Sequence, residues 1–112
     1  MNPYDHAHAL AKAIRESDGF RAMKMAKQKI DPDDQAKKML LDFHMKQFEY
    51  ERKRLMNEEP SQEDQEDLQK LYEILQLHTA VRDYLQAEYQ LGTLMQDVQK
   101  ILTDALEEVS IS

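Results

Sequence analysis

Asp31 to Glu59, DPDDQAKKMLLDFHMKQFEYERKRLMNEE, decides the fold class. The stretch has no glycine, and its one proline stands at its second position. Asp31 reads as an N-cap and Pro32 as the first helical residue. Asp33 and Asp34 then place negative charge in the first turn, where the helix dipole favours it. At ~1.5 Å per residue, a helix over Pro32–Asn57 spans roughly 39 Å. A compact chain of 112 residues is only about 34 Å across. The neighbours of this helix are therefore expected to pack along it.

Its apolar residues fall on two faces. At ~100° per residue, Ala36, Met39, Leu40, Phe43 and Tyr50 share one arc, while Leu41, Met45, Phe48, Leu55 and Met56 share another. Lys38, Asp42, Lys46, Glu49 and Lys53 hold the rest. A helix with two apolar faces is sandwiched between neighbours. The second face repeats at Leu41, Phe48 and Leu55, seven residues apart, which is the spacing of a helix–helix seam. The expectation is a homodimer with Leu41, Met45, Phe48 and Leu55 at the contact; the competing arrangement lays the last helix of the same chain on that face.

Working outward, Asn2, Pro3 and Asp5 form a helix start, and Tyr4, Ala7, Ala11 and Ile14 share a face. Glu16-Ser17-Asp18-Gly19 breaks this helix and starts another, with Ser17 or Asp18 as cap, ending where Asp31 meets Pro32. On the other side, Glu58 to Asp64 is an acidic connector in which Ser61 and Asp64 form a capping box behind Pro60. Two helical stretches should fold back on each other across it. From Ser61 onward the only breaker is Gly92. A single helix to Val109 would be about 74 Å long, and the phase of the apolar residues shifts, so a break is placed at Leu77–Ala80 with Thr79 as the new cap. The last helix has the cleanest amphipathic face, Leu91, Leu94, Met95, Val98, Ile101, Leu102, Ala105, Leu106 and Val109, and that face, Leu102 included, is expected to be buried. The fold class is all-α: a five-helix elongated bundle built along a long helix hairpin, in one domain, 1–112, with helices about 3–15, 18–30, 32–57, 62–77 and 80–108.

Composition agrees. Two glycines, three prolines and 33% charged residues suit helices, and few aromatics leave the core to aliphatic and Met side chains. No cysteine is present, which excludes disulfides, thiolate metal sites and a Cys nucleophile. The net charge of −7 argues against generic nucleic-acid or anionic-membrane binding. No apolar run is long enough for a membrane span or a signal-peptide core. A cytoplasmic protein is expected.

The residues carry no chemistry. Two glycines cannot build a phosphate-cradling loop. His6 and His8 lie on different helix faces, His44 and His78 read as part-buried or surface residues, and no pair of Glu-x-x-His motifs exists for a di-iron centre. Ser17 and Ser61 are caps, and Ser110 and Ser112 are tail. No catalytic residue, metal, cofactor or small-molecule substrate is expected, and the chain is read as a non-enzyme. Arg21, Lys24, Lys27, Lys29, Lys37 and Lys38 form a basic cluster. It is either plain solvated surface or a polar surface for a partner. The alternative function, an RNA-binding accessory protein, would use this Arg21–Lys38 cluster, which lacks the interleaved aromatics that single-strand binding uses.

Ala-Ile-Arg-Glu-Ser-Asp-Gly-Phe (Ala13–Phe20), Ala36 with Phe43, Glu-Pro-Ser (Glu59–Ser61) and Tyr-Leu-Gln-Ala-Glu (Tyr84–Glu88) running into Leu91 resemble the YlbF/YmcA family of small bacterial helical proteins, and within it the YheA-type branch. The resemblance covers roughly Tyr4 to Leu106. It implies an all-α, five-helix elongated fold that associates, and a role without catalytic residues. Members of this kind act with YaaT in a complex that affects RNase Y and messenger processing, and through it competence, biofilm formation and sporulation. Some of them hold an iron–sulfur cluster through cysteines. This chain has none, so that role is not carried over. The leading expectation is a regulatory protein–protein interaction module.

Overall fold

The computed structural model describes residues 2–111. They form five helices: α1 Pro3–Arg15, α2 Asp18–Ile30, α3 Asp34–Leu55, α4 Gln62–Gln76 and α5 Thr79–Glu107, with no strand among the described residues.

Short polar side chains set most of the boundaries. The Asn2 side-chain oxygen accepts from the Asp5 N–H at 2.9 Å. Ser17 Oγ accepts from the Phe20 N–H at 3.3 Å and donates to the Ile14 carbonyl at 2.7 Å, so one hydroxyl closes α1 and opens α2. Ser61 and Asp64 form the reciprocal capping box of α4. α3 ends in a Schellman motif. Asn57 takes the left-handed conformation (φ 58°), the Glu58 N–H reaches the Lys53 carbonyl at 2.8 Å, and the Asn57 N–H reaches that of Arg54 at 3.3 Å.

Two caps differ from the sequence reading. Asp31 keeps helical dihedrals as the C-cap of α2, its N–H bonded to the Lys27 carbonyl and its carboxylate to Lys27 Nζ at 2.8 Å. Asp33 is the first extended residue past Pro32. It caps α3 by accepting from the Ala36 N–H at 3.0 Å, so α3 starts at Asp34 and not at Pro32. At the second junction the cap is His78 rather than Thr79: its Nδ1 accepts from the Val81 N–H at 3.4 Å.

The core sits where four helices converge. Ile30 ends α2, Ala36, Leu40 and Phe43 come from the first half of α3, Leu75 ends α4, and Val81 and Leu85 begin α5. From this junction two limbs extend. In one, α4 folds back on α3 as the connector requires. In the other, α2 runs antiparallel along α5. Gly19 at its start meets Gln90 and Leu91, and Ile30 at its end meets the Val81–Leu85 region. A Cβ added at Gly19 would stand 3.4 Å from the Leu91 backbone nitrogen, so an alanine would just fit and a longer side chain would push against the α5 backbone.

α3 is therefore not the helix that everything packs along. α5 is longer, 29 residues against 22, and only α4 follows α3 lengthwise. The result is flat and extended, 48 × 37 × 16 Å, with a radius of gyration of 17.7 Å where a compact chain of this length has about 13 Å.

Candidate interaction surface

Helical spacing divides α3 as the sequence suggests. Ala36, Leu40 and Phe43 are buried in the junction, whereas Leu41, Met45, Phe48 and Leu55 stand on the opposite side, with Phe48 69% and Leu55 83% exposed. The last helix does not lie on that face. α5 touches α3 only near the junction, where His44 Nε2 lies 2.9 Å from a Glu88 carboxylate oxygen.

The end of α5 is bare as well. Leu91, Leu94 and Val98 are half-buried, but Ile101, Leu102, Leu106 and Val109 are exposed, Leu102 at 57%. Leu102 and Leu106 are thus not buried within the chain as their amphipathic pattern predicted, because no helix of the same chain reaches past this end of α5. α1 buries no residue of its own.

Some of the charged side chains pair at the helix joints, and others pair along α3 and α5. Lys53 Nζ binds Asp64 Oδ2 at 2.8 Å, tying the end of α3 to the start of α4. That bond holds the Asp64 carboxyl below its ordinary range and raises the Lys53 ammonium. Of the six basic residues in the Arg21–Lys38 cluster, Lys27 and Lys37 both turn to Asp31, at 2.8 and 3.7 Å. The Lys27 hydrogen bond, the stronger of the two, lowers the Asp31 carboxyl. Arg21, Lys24, Lys29 and Lys38 are exposed. Burial raises the Tyr84 phenol, which stands over the His44 ring, 6.5 Å between ring centres.

Among the described residues no three His, Cys, Asp or Glu side chains come together as a metal site, and no polar or charged side chain is buried. The grooves are shallow and open; the one between α3 and α4 is lined by Met45, Glu49, Tyr50, Lys53 and Asp64. What the surface offers is apolar helix face bordered by charge.

Residues 4–107 match the model of a family described as control of competence regulator ComK, YlbF/YmcA. The chain belongs to the YlbF/YmcA family. It is 44% identical over 106 residues to a UPF0342 protein of Caldicellulosiruptor bescii, covering 95% of this chain and 89% of that one. With the UPF0342 protein of Symbiobacterium thermophilum it shares 42% over 104 residues, 93% of each chain. A solved structure of a protein of unknown function (DUF964) from Bacillus stearothermophilus superposes with a TM-score of 0.74 at 24% identity, covering 95% of this chain and 93% of that chain. At that identity the likeness bears on the fold alone, and that neighbour is likewise all-helical.

No helix of the described residues is long and apolar enough to cross a membrane.

Proposed function

We propose that this YlbF/YmcA-family chain is a non-enzymatic regulatory adaptor that acts through protein contacts as a homodimer, the outer face of α3 lying at the contact. Further proteins of a YlbF/YmcA-type complex are the hetero-partners this reading expects.

One observation carries it. A folded monomer of 13.2 kDa is expected to expose about 6,400 Å². This chain exposes 9219 Å², about 2,800 Å² more than that scaling allows. An obligate dimer hides roughly 1,000–2,500 Å² or more on each chain, so one such contact would cover most of the excess. The exposed apolar residues are moreover gathered in stripes, and soluble monomers keep such patches small. The family's description as a control element for a regulator fits a protein that works by binding.

Light scattering on the wild type and on Phe48→Glu tests the proposal. A mass twice that of the chain is expected for the wild type, with a folded, helical monomer for the variant. A monomeric wild type refutes the dimer. A variant that stays dimeric moves the contact off α3. A single polar substitution that abolishes a measurable turnover would overturn the non-enzymatic reading.

A further inference from the structure

We infer that the outer stripe of α3 in one copy seats the C-terminal half of α5 from the second copy, and reciprocally, so that one two-fold contact covers both bare stripes. The inference rests on the homodimer proposed above and says how it is built.

The two stripes match in length. Leu41 to Leu55 covers about 21 Å of helix and Leu94 to Val109 about 23 Å at ~1.5 Å per residue. They are also complementary in character. On α5, Leu94, Met95, Val98, Leu102 and Leu106 recur at helical spacing on one arc that bears no charge, and Val109 follows just past the helix end. On α3 the stripe includes Arg52 and is preceded by Lys37 and Lys38.

Charge disfavours pairing the two α5 ends with each other. Between Leu94 and Val109, Asp97, Asp104, Glu107 and Glu108 face one cation, Lys100, which binds Asp104 at 2.9 Å. Asp97, Glu107 and Glu108 have no ion-pair partner among the described residues. Between Leu41 and Leu55 the charge is balanced: Lys46, Arg52 and Arg54 pair with Asp42, Glu49 and Glu51 on the same helix, and Lys53 pairs with Asp64 of α4. Two α5 ends laid together would set like charge against like charge, and two α3 stripes laid together would leave both α5 ends bare; α3 against α5 covers both stripes and opposes no like charge. The exchange also closes: a contact in which each stripe meets the other, once per copy, is isologous and ends at two chains.

Geometry within the chain leaves room for it. The two limbs diverge from the junction, and α3 and α5 meet only around His44 and Glu88, so the outer face of α3 and the end of α5 from Ile101 onward are open to take a helix from outside.

The test uses the absence of cysteine. Phe48 and Leu102 are the midpoints of their stripes, so they meet whether the helices run parallel or antiparallel. Phe48→Cys and Leu102→Cys chains are treated, singly and mixed, with a bis-maleimide long enough to bridge two helical turns, ~11 Å. Cross-linked dimer is expected in the mixture and not in either variant alone. Where Phe48→Cys loses the dimer by light scattering, Glu49→Cys with Gln99→Cys, both exposed polar positions at the stripe borders, replaces the pair. Self-linking of either single variant, or a dimeric mixture that does not link, overturns the exchange while leaving a dimer standing. A monomeric wild type removes both proposals.

Discussion

His78 and Asp33, the N-caps of α5 and α3, hydrogen-bond to each other across 3.2 Å. His78 Nδ1 accepts from Val81, so the ring proton lies on Nε2 and is donated to Asp33 Oδ2, while Asp33 Oδ1 accepts from Ala36. Two helix starts that lie 45 residues apart in the chain are thereby stitched together at the edge of the core. Asp33→Ala is expected to lower Tm more than Asp33→Asn, because asparagine still caps. His78→Ala removes the other end of the same bond, so the double Ala variant should lose less than the two single losses combined. Thermal melts followed by circular dichroism measure all three; strictly additive losses would mean that the two caps act independently.

Acid should destabilise the fold through three carboxylates. The Asp33 carboxyl is held low first by the Ala36 N–H and then by His78; those of Asp31 and Asp64 are held low chiefly by Lys27 and Lys53. A depressed folded-state value adds stability that is complete above the unfolded value of about 3.9 and is lost as pH falls through the folded one. Lys27 and Lys53 are raised, so their contribution is complete below about 10.4 and is lost as pH rises through the folded value. Tm is expected to be level between about pH 5 and 9 and to fall below about pH 4, by a small amount because these pairs are solvated. A loss that set in between pH 7 and 5 would refute this assignment to the three carboxylates.

The helices were legible because helix signals are local. Glycine and proline are scarce, and Asn2, Ser17 and Ser61 cap where short polar residues stand before apolar periodicity. The caps that differed were competitive or atypical. Three aspartates surround Pro32, and only the tertiary bonds of Asp31 to Lys27 and of Asp33 to His78 separate their roles. Histidine is a rare cap, so nothing in the pattern at Leu77–Ala80 favoured His78 over Thr79. Periodicity also marked the apolar faces of α3 and α5 correctly, yet it cannot say whether the occupant of a face belongs to the same chain. Leu102 was therefore expected in a core that the single chain does not build.

The two glycines should respond in opposite ways. Around Gly92 an added Cβ meets nothing within 4 Å, so Gly92→Ala recovers helix propensity and should stabilise by about 1 kcal/mol. Gly19→Ala fits at ordinary contact distance from Leu91, but Gly19→Leu drives a side chain into the α5 backbone and should destabilise by about 1–3 kcal/mol. Urea melts report both. Destabilisation by Gly92→Ala would mean that another helix approaches there in solution.

Leu75 and Leu102 offer the sharpest contrast. Leu75 is fully buried in the junction, and Leu75→Ala should cost about 2–5 kcal/mol at any protein concentration. Leu102 is exposed within the chain, where truncation costs within about 0.5 kcal/mol, but the proposed dimer covers it. The loss caused by Leu102→Ala should therefore shrink as the protein is diluted towards monomer, while the loss at Leu75 does not. Denaturant melts at micromolar and sub-micromolar protein measure the two gaps. Equal, concentration-independent losses would place Leu102 in a core of its own chain. No loss at any concentration would leave the end of α5 in solvent and take it out of the contact.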